Sequence, residues 1–157
     1  MVYAQTIVAP IANDYGHFGQ SLKIDSTATT LVVGSPDATA NLPTTFDQGT
    51  TYFDSKSTTI VDSLNESGVV YTYNYLNAAN ASATNPGKFA FGQQIFDTSI
   101  TSFDKFGSAV DYYDGVLLVG APNDDLNDSS GDFGRVTQLV NTNKESAWKR
   151  IYNQQPI

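Results

Sequence analysis

The densest group of residues able to do chemistry in this sequence is acidic. Asp124, Asp125, Asp128 and Asp132 fall within nine positions of one another. Carboxylates at that density are hard oxygen donors, and calcium takes about 6–8 such oxygens. The spacing is not that of an EF-hand loop, which closes on a glutamate. The group is therefore a candidate calcium site of another kind, set against plain solvated charge. Asp124 and Asp125 also mimic a glycosidase carboxylate pair, a pattern that many surface acid clusters share. His17 is the single histidine, so a histidine general base has one candidate. Cysteine is absent, which removes thiolate nucleophiles, disulfides and Cys-based zinc sites. There is no G-x-S-x-G, HExxH or phosphate loop. The expectation is a protein that is not an enzyme.

Composition narrows the partners. The 157 residues carry a formal net charge of −8, with only eight Lys plus Arg. Nucleic acid needs clustered cations, so it is an unlikely partner by charge alone. No apolar run approaches the ~20 residues of a membrane span. Residues 1–12 lack a charged start and a long apolar core, and do not read as a signal peptide. The triplets at Asn65, Asn80 and Asn127 match the glycosylation pattern, as chance allows in a chain rich in Asn, Ser and Thr. Abundant Thr, Ser, Asn and Tyr, with few good helix formers, point to an all-β chain with polar loops.

The elements that position these residues form a repeat. Aligning Phe18-Gly19 with Phe106-Gly107 brings LVVGSP (31–36) onto LLVGAP (117–122) and GVVYTYNYL (68–76) onto GRVTQLV (134–140). KFAFGQQIF (88–96) then matches SAWKRIY (146–152). Ile7 and Ile95 each lie 11 residues before their FG. Period-two apolar patterns bounded by Gly, Pro, Asn and Asp predict strands. Four fall in each unit: 18–25, 29–35, 68–76 and 88–96, then 106–112, 115–120, 133–140 and 146–152. The segment 3–9 precedes the first unit as a fourth strand precedes the second. Two units of four antiparallel strands predict β-propeller blades.

At this point the chain resembles the FG-GAP repeat of integrin-α-type β-propellers: FG, a short hairpin, (L/V)VG(A/S)P, then G-x-V. The likeness covers about residues 14–36, 68–76, 104–122 and 133–140. More weakly, FGQQI and WKRIYNQQP are similar to repeats in large structural proteins of marine phages. The resemblance implies an all-β fold of two four-stranded antiparallel blades plus an extra N-terminal outer strand. Residues 1–13 are then that strand and a linker, 14–97 a first blade with a long insert at 37–67, and 98–157 a second blade. A propeller has about 4–8 blades, so two imply a partial ring or one completed by association. The glycines and prolines of the motif have architectural roles in this reading: Gly19 and Gly107 permit close backbone approach, and Pro36 and Pro122 end a strand.

Function is then expected where the copies differ. After the first GSP come 31 residues; after the second GAP come 11. Loops that long are commonly functional. Within the longer one, TTYFD-SKS-TTIVD reads as an extra hairpin. The resemblance implies ligand contacts on the face that holds these loops, involving Asp37, Tyr52, Phe53, Asp54, Asp14, Tyr15, His17 and Asp104. It also implies a calcium loop at the first turn of a blade. DSTATT (25–30) and DYYDG (111–115) depart from that pattern and carry too few oxygens. The implied function is a non-catalytic adhesion module for a protein or carbohydrate ligand, placed outside the cell, on the cell surface or on a virion. A purely structural self-assembling repeat and the accessory domain of a hydrolase are the other two readings.

Overall fold

The computed structural model describes residues 5–10, 15–43, 52–53, 60–77, 87–97, 101–125, 131–140 and 149–154. Among them the chain is all-β, with no helix. Eleven strands form: β1 (Ser21–Ile24), β2 (Thr30–Ser35), β3 (Ala40–Pro43), β4 (Tyr52–Phe53), β5 (Ile60–Leu64), β6 (Val69–Leu76), β7 (Lys88–Ile95), β8 (Ala109–Tyr113), β9 (Val116–Ala121), β10 (Arg135–Val140) and β11 (Lys149–Gln154). They build a five-stranded sheet ordered β1-β2-β6-β7-β4, a four-stranded sheet β8-β9-β10-β11 and a small β3-β5 pair. All the pairings are antiparallel.

The repeat holds at the level of individual bonds. Leu22 faces Val33 as Val110 faces Val119, and Gly34 faces Val70 as Gly120 faces Val136. Gly19 N–H donates to Gly34 O, and Gly107 N–H to Gly120 O. Gly68 N–H donates to Ala38 O, and Gly134 N–H to Asp124 O. Even the bulge recurs, between Thr72 and Tyr73 and between Gln138 and Leu139. One sequence pattern, written twice, thus yields one hydrogen-bond pattern twice.

Three expectations change. First, the last strand, β11, runs on to Gln154, past the expected end at 152, while 146–148 lie outside the described residues. The bulge sets Arg150 opposite Leu139 as Phe91 sits opposite Tyr73, so the fourth strands align later than their apolar residues suggest. Second, residues 5–9 are not a strand. A strand needs a ladder partner, and this segment docks by side chains instead. Ile7 packs on the first sheet, the Gln5 amide bridges the Phe89 backbone, and Tyr73 Oη–H donates to Val8 O at 3.2 Å. Third, the described parts of the expected hairpin within the insert do not pair with each other. β4 pairs with β7 at Tyr52↔Ile95, extending the first sheet to five strands, while β5 pairs with β3. An open sheet edge is a ready partner for any extended segment, and β7 offered one.

Alternation decides where the core sits. In β2, Val32 and Gly34 point to one side, which we call the back of the sheet, and Leu31 and Val33 to the front. The back of the first sheet lies on the front of the second: Val32, Val70 and Ile95 bury against Phe106, Leu117, Val119 and Leu139, with Val110 and Tyr112 at the margin. Each such side chain contributes about 1.5–3 kcal/mol by leaving water. The front of the first sheet is a second core, where Val33, Val69, Tyr71, Tyr73 and Phe96 pack under Ile7, Phe18 and Phe89. Ile7 therefore does for the first sheet what Ile95 does for the second. Phe18 lies 5.6 Å from Tyr71 and 6.3 Å from Tyr73, centre to centre.

Burial pushes the Tyr71 phenol up to about 12, and burial with the Tyr71 charge does the same for Tyr73. The folded values exceed the ordinary one near 10, so folding favours the protonated phenols. That stability is present below about pH 10 and is lost as pH rises from there toward 12. An alkaline titration followed by tyrosinate absorbance should show two of the nine tyrosines ionising late, together with unfolding. Ionisation of all nine in one early step would contradict this packing.

Candidate functional site

The loops that end β2, β7 and β9 and those that lead into β1 and β8 gather at one end of the two sheets. Two turns, 15–19 and 103–107, enter the first strands. Each holds two non-glycine residues in the left-handed region: Tyr15 (φ 63°) and His17 (φ 52°), then Phe103 (φ 75°) and Lys105 (φ 62°). Such strain often marks a reactive site. Here it recurs at equivalent positions of both copies, which assigns it to the shape of the repeated turn.

The turns bring four ionisable groups together. Asp37, just past the GSP turn, accepts from His17 Nδ1 on one oxygen and from Lys105 Nζ on the other. Lys105 Nζ also donates to Glu66. The ammonium belongs to the second unit and both carboxylates to the first, so the network ties the units together. Partial burial disfavours the Asp37 anion, but the hydrogen bonds and charges of Lys105 and His17 outweigh it and hold the carboxyl below its usual range. For Lys105, burial acts downward and its bonds to Asp37 and Glu66 act more strongly upward. Each of the four side chains is bonded to at least one of the others. The cluster is suited to holding shape and presenting charge.

The expected site residues divide. Asp37, His17 and Tyr15 come together, with Asp104 on the equivalent turn. Tyr15 points to solvent, while Asp104 is buried and closes its own loop through Thr101 N–H (2.5 Å) and Thr101 Oγ1 (3.0 Å). Burial raises the Asp104 carboxyl, and the Asp124 and Asp125 charges add to the rise against the Thr101 bonds. Tyr52 and Phe53 are elsewhere: β4 is the outer edge, three strand spacings or about 14 Å from β2. Asp14, Asp54 and Asp128 lie outside the described residues.

Of the acidic loop, Asp124 is drawn inward. Asp124 is buried and bonded to Arg135 Nη2 at 2.9 Å; Arg135 Nη1 lies 3.7 Å from the buried Asp97, which also accepts from Thr137 Oγ1 at 3.1 Å. Asp125 is half-buried and Asp132 exposed. No three His, Asp or Glu side chains among the described residues are placed to hold a metal ion. In the DSTATT turn, the Asp25 carboxylate is occupied by Thr29 N–H (2.6 Å), Thr30 N–H (3.0 Å), Thr27 Oγ1 and Thr29 Oγ1. These bonds outweigh burial and lower its carboxyl.

Sequence reasoning missed Lys105, Glu66 and Arg135. For Arg135 a signal existed: a cation opens a β-branched strand whose repeat-equivalent residue is Val69. No helix among the described residues is long and apolar enough to cross a membrane. Comparison with protein-family models and with curated proteins finds no match for this chain.

Proposed function

We propose that the two sheets are FG-GAP-type propeller blades and that the chain is a non-catalytic interaction module, working outside the cell or on a virion. The repeated first-sheet and second-sheet hydrogen bonds support the blade reading. The observation that carries the interaction reading is the loop end itself. Tyr15, Phe103 and Phe133 are all more than half exposed there, beside the His17–Asp37–Lys105–Glu66 network. Exposed aromatics on a rigid, charged rim are the side chains that carry binding energy at protein and carbohydrate interfaces. Ion pairing across the two units fixes the rim and lowers the entropy cost of capture.

Deleting the insert would be a poor test, because Ala38 and Ala40 belong to the core. A Tyr15→Ala/Phe103→Ala double variant leaves the core intact. Screened on carbohydrate and surface-protein arrays, the native chain should bind at least one class of spot. The double variant, at unchanged melting temperature, should lose about tenfold or more. Equal binding by both would remove the ligand from this end of the molecule, and no binding by either would overturn the ligand reading.

A further inference from the structure

The contact between the two sheets has a glycine at its centre on each side. Gly34, on the back of the first sheet, lies against Gly107: a Cβ at Gly34 would overlap the Gly107 carbonyl oxygen, and one at Gly107 would come within 3.0 Å of Val69 O. The Ser21 hydroxyl donates to the same Gly107 oxygen at 2.7 Å. The repeat-equivalents of this pair are Gly120 and Gly19. Both stand open: a Cβ at Gly120 meets nothing nearer than the Ala109 Cβ at 3.6 Å, and one at Gly19 meets nothing within 4 Å.

The apolar neighbours repeat the same asymmetry. Val110 and Tyr112, on the front of the second sheet, pack against the first. Their equivalents on the front of the first sheet, Leu22 and Ile24, are 63% and 44% exposed. Val32 and Val70, on the back of the first sheet, are fully buried, whereas their equivalents Leu118 and Val136 are 40% and 46% exposed. A depression of about 340 Å³ lined by Asp111, Tyr113, Asp114, Val116 and Leu118 opens on that second back face. One chain thus exposes both halves of a contact that it already makes once internally.

We infer that the chain associates with copies of itself head to tail, the Gly19–Leu22–Ile24 front of one copy seating on the Leu118–Gly120–Val136 back of the next. The inference rests on the two sheets being equivalent units. Charge agrees with it. Within the chain, Lys23 Nζ reaches Asp111 at 2.7 Å, and these two residues occupy the same position of the repeat. The next step of the same geometry sets Asp111 of one copy against Lys23 of the following one, opposite charges again. The Lys105–Glu66 pair becomes His17 of the incoming copy beside Asp132. The segment 5–9 of the incoming copy and β11 of the receiving copy then meet at the edge of β10, and one of them gives way. Because the contact is heterologous, it closes into a ring or runs on as a filament. If the sheets are propeller blades, rings of about 4–8 blades hold two to four copies.

Three proteins test this by light scattering over a concentration series: the native chain, Gly120→Ala with its back face blocked, and Leu22→Asp/Ile24→Asp with its front face blocked. These positions are open or exposed, so circular dichroism and melting temperature should match the native chain. The native chain should gain mass with concentration, and each variant alone should stay at the mass of one chain. An equimolar mixture of the two variants should give a species of two chains and nothing larger. A native chain that remains a single copy throughout overturns the inference, as does either variant assembling alone. Binding on the arrays described above reads the loop end separately, so either proposal can fail without the other.

Discussion

Gly34→Ala should cost about 3 kcal/mol or more, a large share of the roughly 5–15 kcal/mol that keeps a domain folded. The backbone dihedral is not the reason, since Gly34 is not in the left-handed region. The cause is where the added methyl would go. The Cβ direction at Gly34 runs into the Gly107 carbonyl oxygen and the Ser21 hydroxyl. The oxygen is backbone and cannot swing away. Relief requires the two sheets to separate, and separation exposes Val32, Val70 and Ile95 together with Phe106, Leu117, Val119 and Leu139. The matched control is Gly120→Ala, the same change at the same place in the other unit, where the nearest atom is 3.6 Å away. That substitution should stay within about 0.5 kcal/mol of native, or stabilise slightly by restricting the unfolded chain. Urea unfolding of the three proteins gives both numbers. Equal midpoints for the two variants would mean that the sheets do not stack through Gly34 and Gly107.

Much of this architecture is legible in the sequence because a repeat is legible. The FG dipeptides fix a common origin, and alternation in TLVVGS and VLLVGA fixes which side chains share a face. Eight of the strands then follow, with boundaries within three residues or so for most. What could not be read was set by partners distant in sequence. β4 and β5 look like the arms of one hairpin because they are close in the chain and β-prone. Their choice of β7 and β3 depends on which edges stand open, and local pattern carries no record of that. The bulge that shifts β11 is likewise invisible where LV and VT alternate without a break.

The candidate site was legible in part and for a similar reason. Asp37, His17 and Tyr15 belong to turns that the repeat locates, so their gathering at one end could be anticipated. Their pairing with Lys105 and Glu66 could not, because it joins residues 68 and 39 positions apart in the chain. The inward turn of Asp124 was not legible, for a physical reason. Carboxylate density on its own cannot distinguish a group facing water from one facing a buried guanidinium. Asp124 turns inward because Arg135 is there to meet it.

The two units offer a built-in comparison for that buried group. Arg135, Asp124 and Asp97 occupy positions that the first unit fills with Val69, Ala38 and Ala9. Val69 and Ala38 are fully buried and pack with Tyr71. Two of these positions therefore accept either the Arg135–Asp124 ion pair or apolar side chains. Replacing Arg135 alone by Val should be severe, about 3–5 kcal/mol, because two buried carboxylates lose the cation that stabilises them. Replacing all three, Arg135→Val, Asp124→Ala and Asp97→Ala, should recover most of that loss. Val69 and Ala38 already pack in the first unit, and the buried guanidinium and both carboxylates are removed together. Recovery should be incomplete, since Thr137 Oγ1 loses its bond to Asp97 and each Asp→Ala change removes volume. Thermal and urea unfolding of the single and triple variants measure the difference. If the triple variant is less stable than the single one, the triad acts as a net stabiliser of the second unit, and the equivalence of the two buried sites extends to their backbones but not to their energetics.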